Sequence, residues 1–265
     1  MTANARHIDR ASPNDLTNLA VDRGRTPMNI GAVLLLDGAA HLGLPAVRAL
    51  LDARLPRVRR LRQRLVPAPL GGGRPLWVDD ADFDLDRHLS THVTEPGDDA
   101  GASLLRVAAD LVCAHLPRDR PLWHAGWVTV AETRQAALVL VVHHVLADGL
   151  GGLAVLAALA DEGTPSPIAA FPEPSPARRE LIADAWQGRA RTFRGARLHL
   201  RRASHGVREL GLATRPGLAP ATSLNRPTGP GRRLTTVDVP LSDVVDAAHA
   251  RGCTVNDVAL AAIVG

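Results

Sequence analysis

An unbroken apolar run, Ala136 to Val142, meets two histidines and then the sequence Val145-Leu146-Ala147-Asp148-Gly149. The run has the length and β-branched content of a buried strand. Leu150 to Leu159, rich in Leu and Ala and flanked by glycines, reads as a helix. His143 and His144 therefore fall at a strand end, in a tight loop. Backbone geometry there fixes an imidazole while leaving it open to a substrate. Histidine is the side chain best matched to proton transfer near neutral pH. In the pattern HHxxxDG one imidazole accepts a proton from a hydroxyl or an amine. The carboxylate four residues on, Asp148, holds the loop by pairing with an arginine rather than relaying protons. Gly149 beside it supplies a backbone conformation that other residues adopt at a cost.

Around this centre the chain mixes strands and helices without regular alternation, which points to an α/β sandwich. Ser12-Pro13 fits an N-cap with proline at the first helical position, and Leu16 and Leu19 turn inward. Ile30 to Leu36 reads as a strand. Leu44, Val47, Leu50, Leu51 and Leu55 follow helical spacing. Gln63 to Val66 and Pro75 to Val78 are strand candidates separated by the turn glycines Gly71 to Gly73. Ser103 to Leu116 is an amphipathic helix with Leu104, Leu105, Ala108, Leu111 and Val112 on its buried side. Ala125 to Val130 joins Ala136 to Val142 through Glu132-Thr133-Arg134. Further on, Leu234 to Val239 reads as a strand, and Leu241 to Ala250 and Val255 to Val264 as helices.

The prolines from Thr164 to Pro176 can neither continue a helix nor enter a sheet interior, so they mark a boundary. Residues 1–163 form a first domain, 164–230 a linker with a basic helix, and 231–265 the beginning of a second domain. Between Ala177 and Leu210, Trp186, Phe193, Leu200 and Val207 recur every seven residues, and nine arginines lie between Arg178 and Arg208. Two readings compete. One is a connecting helix packed on its own protein. The other is a contact with a membrane surface or lipid droplet through residues 178–210, since a basic amphipathic helix can lie on anionic lipid.

All 31 basic residues are arginine, yet the net charge is only +4, so composition gives no reason to expect nucleic acid as a partner. Cys113 and Cys253 are far apart, fit no metal-ligand spacing, and read as small buried residues of an intracellular chain. The start, Met1 to Asp15, is polar and lacks a hydrophobic signal region. No apolar run approaches the roughly 20 residues of a membrane span. A cytoplasmic location is expected, with peripheral attachment to a membrane or lipid droplet through the basic helix. No metal is expected. The nucleophile pattern GxSxG is missing, so a covalent acyl-enzyme is not suggested.

HHxxxDG resembles the signature of the CoA-dependent acyltransferase superfamily. Other segments resemble one branch of it, the bacterial wax ester synthase/diacylglycerol acyltransferases. They are Ser12-Pro13-Asn14-Asp15 with Thr26-Pro27-Met28-Asn29-Ile30-Gly31, then Pro121-Leu122-Trp123, then Ser223-Leu224-Asn225-Arg226-Pro227 with Gly229-Pro230-Gly231-Arg232-Arg233, and finally Thr254-Val255-Asn256-Asp257-Val258-Ala259-Leu260-Ala261. They occur in the family's order and cover most of the chain. Two departures stand out. The family commonly carries an acidic residue after PLW, where this chain has His124. Relatives also continue for a further domain of comparable size.

The resemblance implies a two-layer sandwich of the chloramphenicol acetyltransferase type with its second domain truncated. It implies transfer of a fatty acyl group from acyl-CoA, a co-substrate with no other cofactor, to diacylglycerol or a long-chain alcohol. His144 would be the general base, His143 a supporting residue, Asp148 a structural acid paired with an arginine such as Arg25, and Gly149 the residue that permits the turn. Pro121, Leu122 and Trp123 have two readings, apolar bulk beside an acyl tunnel or plain core packing. Asn256 and Asp257 either cap the helix after Thr254 or help form the active centre near the interface between halves. The last helix ends on apolar Ile263-Val264, and its face needs a partner, so a truncated or split gene product with a complementary C-terminal half is expected. The competing expectation is a non-catalytic lipid- or acyl-CoA-binding remnant or interaction subunit. A peptide-synthetase condensation domain shares the histidines but is disfavoured by the LNRP and TVNDVALA segments.

Overall fold

In the computed structural model, residues 7–23, 27–36, 38–95, 99–131, 133, 135–146, 149–160, 170–194, 204–206, 208, 229 and 231–264 are described. The elements follow as α1 (Pro13–Val21), β1 (Asn29–Leu36), α2 (Leu44–Arg54), β2 (Gln63–Val66), β3 (Leu76–Asp79), β4 (Leu89–Val93), α3 (Ala100–Cys113), β5 (Trp123–Thr129) and β6 (Ala136–His143). Then come α4 (Gly149–Leu159), α5 (Arg178–Arg194), α6 (Leu241–Arg251) and α7 (Val255–Val264). Four strands form one sheet in the order β1-β6-β5-β4, and β2 and β3 form a separate antiparallel pair. β6 runs antiparallel to both neighbours, whereas β4 and β5 are parallel, their crossover carrying α3.

β6 is apolar from Ala136 to Val142 because helices cover both faces of the sheet. Ala137, Val139 and Val141 point toward α3 and join Leu104, Ala108 and Val128. Ala136, Leu140 and Val142 point the other way, into a core with Val47, Leu51, Leu55, Trp123 and Trp127, completed by Val155 and Leu156 of α4. The α/β sandwich expected from the sequence is present.

The α3 side is the tight one. A Cβ at Gly31 would stand 2.4 Å from Val112 Cγ2, and one at Gly126 would stand 2.5 Å from Leu111 Cδ1. Both glycines lie under the last turns of α3, and their bare backbone lets the helix sit directly on the sheet. β4 was not foreseen. Its sequence, Leu-Ser-Thr-His-Val, forms the sheet edge and is only partly buried.

The end of the proline-bearing segment folds back against Arg59, Arg62 and Asp79. The Asp79 side chain is fully buried and accepts from Arg59 Nε at 2.9 Å, Gln63 Nε2 at 2.9 Å and the Glu173 backbone N–H at 2.9 Å. Arg59 also pairs with the Glu173 carboxylate. Arg62 stacks on the Phe171 ring at 3.9 Å. Beyond it α5 lies on the β2–β3 pair. Leu181 is buried with Leu76 and Val78, and Arg10 binds Asp184 at 2.7 Å and the Leu181 carbonyl at 3.0 Å.

The face of α5 that packs is therefore the one bearing Leu181 and Ala185. Trp186 and Phe193, which the seven-residue spacing puts together, are exposed. Leu200, Val207 and the LNRP segment lie outside the described residues. One expectation is corrected: Leu234 to Val239 forms no strand. No strand lies beside it among the described residues, and a strand without a partner leaves its backbone groups unpaired.

Gly31→Ala is expected to destabilise the fold by about 1–3 kcal/mol, because Val112 is stiff and cannot give way. Adding Val112→Ala should return part of that loss. Urea unfolding of the two single variants and the double variant checks this. Simple additivity would show that the close approach of α3 is not the cause.

Candidate active site

β6 delivers the histidine pair at its last residue. The His143 N–H donates to the Leu122 carbonyl at 2.9 Å, and the His144 N–H donates to the Met28 carbonyl at 2.7 Å. The pair is thus fastened on one side to the Pro121-Leu122-Trp123 segment and on the other to the residue before β1. The Leu146 N–H donates back to the His143 carbonyl at 2.8 Å and closes the turn.

The two imidazoles stand in different surroundings. His143 is buried, with only 3% of its surface exposed. Its Nδ1 accepts the Val145 N–H at 3.0 Å. A neutral ring that accepts at Nδ1 carries its proton on Nε2. Nε2 lies 3.2 Å from Asp22 Oδ2, close enough for electrostatic attraction but off the axis of a hydrogen bond. Burial pushes the His143 pKa down, against the opposing pull of Asp22, so the ring is neutral near pH 7. His144 is only half-buried, and its Nδ1, tucked inside, makes no hydrogen bond among the described residues.

Asp22 is the functional-site candidate that sequence reasoning missed. It caps the C-terminus of α1. Its Oδ1 accepts the Met28 N–H at 2.9 Å and its Oδ2 accepts from Arg118 Nη2 at 2.6 Å. Burial pushes this carboxyl up, but the Met28 N–H, the Arg118 guanidinium and His143 outweigh it and hold the group below the usual carboxylate range. One local signal was available. An acid at a helix C-terminus opposes the helix dipole and implies a partner elsewhere.

Pro121, Leu122 and Trp123 are packed core. Leu122 lies with Trp77 and Val145, and Leu146 packs against them. Trp123 donates its indole N–H to the Leu61 carbonyl at 2.7 Å and stacks on His88 with ring centres 4.5 Å apart. The segment braces the histidine loop from below. His124, which stands where the family commonly has an acid, shares the Ser90 hydroxyl with His92. The two Nε2 atoms lie 2.7 and 2.8 Å from Ser90 Oγ. Burial, then the neighbouring His88, His92 and Arg120, lowers the His124 pKa.

Of the other expected residues, Asp148 and its suggested partner Arg25 lie outside the described residues. Gly149 is the first residue of α4. Asn256 and Asp257 are exposed on α7. Asp257 accepts the Thr254 N–H at 2.8 Å and its hydroxyl at 2.7 Å, and returns its own N–H to Thr254 Oγ1 at 3.2 Å. That is a helix cap, the simpler of the two readings. The hydrogen bonds of Asp257 do not tie it to the histidine loop. Beside the loop, an apolar hollow of about 200 Å³ lies between β1, β6 and α4, walled by Ile30, Ala32, Leu140, Val142, Leu153 and Leu156.

The contrast between the rings has a stability consequence. His143→Ala strands the Val145 N–H and removes a buried contact of Asp22, and it is expected to cost about 1–3 kcal/mol. His144→Ala removes no ring hydrogen bond among the described residues and should change stability by less than about 1 kcal/mol. Denaturant titration of both variants tests the division, which an equal loss would refute.

Comparison with known proteins places this geometry in a family. Residues 11–259 match the model of the wax ester synthase/diacylglycerol acyltransferase catalytic domain. A probable diacylglycerol O-acyltransferase of Mycobacterium tuberculosis H37Rv is 33% identical over 256 residues, covering 92% of this chain and 53% of the relative. Another probable diacylglycerol O-acyltransferase, from M. tuberculosis CDC 1551, is 33% identical over 168 residues, 63% of this chain and 60% of its own length. Among solved structures, the wax ester synthase/diacylglycerol acyltransferase of Marinobacter aquaeolei VT8 shares the fold. Its TM-score is 0.59 at 23% identity, over 94% of this chain and 57% of that one. The chain spans 53% and 60% of the length of these two curated relatives. A match that runs from Ala11 to Ala259, through the histidine motif at the end of β6, makes this chain a member of the wax ester synthase/diacylglycerol acyltransferase catalytic-domain family.

Proposed function

We propose that this chain carries the base-bearing half of an O-acyltransferase that moves a fatty acyl group from acyl-CoA to diacylglycerol or a long-chain alcohol. One observation carries the reading. Of two adjacent imidazoles, His143 is buried with its Nδ1 accepting the Val145 N–H, while His144 is half-buried, its inner Nδ1 turned away from solvent and the rest of its ring the more accessible of the two. His144 is therefore the ring suited to proton transfer. It takes the proton of the acceptor hydroxyl as the oxygen attacks the thioester carbonyl. The tetrahedral intermediate collapses with loss of the C–S bond, and the imidazolium returns the proton to the leaving thiolate. Acyl ester and free CoA result.

The apolar hollow supports the substrate class. One of its walls is Val142, the residue before His143, and all six side chains named above are aliphatic. Family membership supports acyl transfer, and the names of the relatives support diacylglycerol as an acceptor.

Turnover is measured as CoA release from long-chain acyl-CoA over a panel of diacylglycerol and fatty alcohols, with and without a supplied C-terminal half of a relative. His144→Ala is expected to lower the rate by about 100-fold or more. Unchanged turnover would overturn the assignment of the base. Tight acyl-CoA binding with no turnover under either condition would favour the non-catalytic subunit instead.

Attachment to a lipid surface is the reading that α5 supports. Trp186 and Phe193 are 64% and 77% exposed on one side of that helix, and Leu70, 91% exposed, lines one depression with Phe193 and Arg189. Exposed aromatic rings among arginines suit the interface of an anionic bilayer. No helix among the described residues is long and apolar enough to cross a membrane. Sedimentation with phosphatidylglycerol vesicles should show binding that weakens with salt and falls in Trp186→Ala/Phe193→Ala. Equal binding by the double variant would refute the contact.

A further inference from the structure

We propose that Asp22 is the positioning residue for the histidine pair, one carboxylate setting the ring of His143 and, through Met28, the backbone of His144. This rests on the reading of His144 as the general base. The connection has two legs, a pair of hydrogen bonds in series through Met28 and an electrostatic contact with the His143 ring. Asp22 Oδ1 accepts the Met28 N–H at 2.9 Å, and the carbonyl of the same Met28 accepts the His144 N–H at 2.7 Å. Asp22 Oδ2 accepts from Arg118 at 2.6 Å and faces His143 Nε2 at 3.2 Å. The ring so held receives the Val145 N–H on its far nitrogen. Both residues that follow His143 are thereby linked, each at one remove, to a single side chain, His144 through Met28 and Val145 through His143.

The helix itself gives Asp22 no reason to be there. The C-terminus of α1 disfavours negative charge. The Asp22 side chain is only 6% exposed, so its charge is matched by Arg118, the Met28 N–H and the edge of His143 rather than by water. The surrounding segments have a fastening of their own. Asn29 Nδ2 donates to the carbonyls of Val112 and Ala114 at 2.9 and 2.8 Å, joining the start of β1 to the end of α3. Removing the carboxylate leaves that joint in place. The change should then fall on the histidines and not on the sheet.

Asp22→Ala, Asp22→Asn and His144→Ala, made in the full chain, separate the alternatives by two readouts. The first is amide hydrogen exchange. In Asp22→Ala the His144 and Val145 amides should exchange about tenfold faster or more, while the Val139 and Val141 amides of β6 keep their protection. The second is steady-state CoA release. For Asp22→Ala, kcat should fall by about 100-fold with KM for acyl-CoA nearly unchanged, as for a base displaced rather than a substrate site lost. Asp22→Asn, which keeps an acceptor for the Met28 N–H, should lie between wild type and Asp22→Ala in both. Unchanged exchange at His144 and Val145, or a loss of protection spread evenly along β6, would overturn the proposal. Full turnover by His144→Ala would instead remove the assignment of the base, and the exchange readout alone would then decide the role of Asp22.

Discussion

The volume contrast between the two faces of β6 sets the geometry of everything beyond it. A strand that is apolar on both sides is not held in register by hydrophobic pattern alone. Here the α3 side carries Ala137, Val139 and Val141, and the opposite side carries Leu138 and Leu140. Gly31 and Gly126 bring α3 so near the sheet that leucines have no room beneath it. A slip of one residue would drive those leucines under the helix and would turn His143 away from Asp22. Pairing with β1 and β5 on both edges then fixes the strand end to within a hydrogen bond, with Asn29 opposite His143 and Trp123 opposite Val142.

Where that strand leaves the core, adjacent imidazoles take opposite parts. A ring buried without partners loses the solvation of its charged form and of its polar nitrogens. His143 meets this cost with the Val145 N–H and the Asp22 carboxylate. That leaves its neighbour, one residue further into the turn, half-buried and without a partner at Nδ1 among the described residues. Asp22 is kept ionised by Arg118, which is itself 57% exposed, so the pair joins a solvated cation to a shielded anion. Such a pairing avoids the desolvation of two charges at once, the main penalty of a buried ion pair.

Much of this could be read from the chain itself. The long apolar strand, the helix spacing of α2 and α3, and the capping residues at Ser12 and Thr254 carry local patterns that survive in the fold. β4 escaped because Ser90, Thr91 and His92 dilute its alternation, and because its strand character comes from pairing beside β5. Leu234 to Val239 misled for the converse reason, since among the described residues no strand lies beside its β-branched residues to pair with them. The histidine motif announced itself by spacing. Asp22 did not, because its partner Arg118 lies 96 residues away and neither belongs to a motif. For Pro121, Leu122 and Trp123 the residues were conspicuous, but their partners Trp77, Leu61 and His88 lie far off in the chain and only the fold brings them together.

The way α5 returns to the β2–β3 pair links distant parts mechanically. Leu181 presses on Leu76 and Val78, the residues on either side of Trp77. Trp77 in turn rests on Leu122 and Val145, with Leu146 beside them, immediately past the two imidazoles. Close-packed interiors pass strain along rather than absorb it. The connecting helix is therefore geared to the histidine turn through a single strand of four residues, and whatever load that helix bears arrives one indole's width from His144.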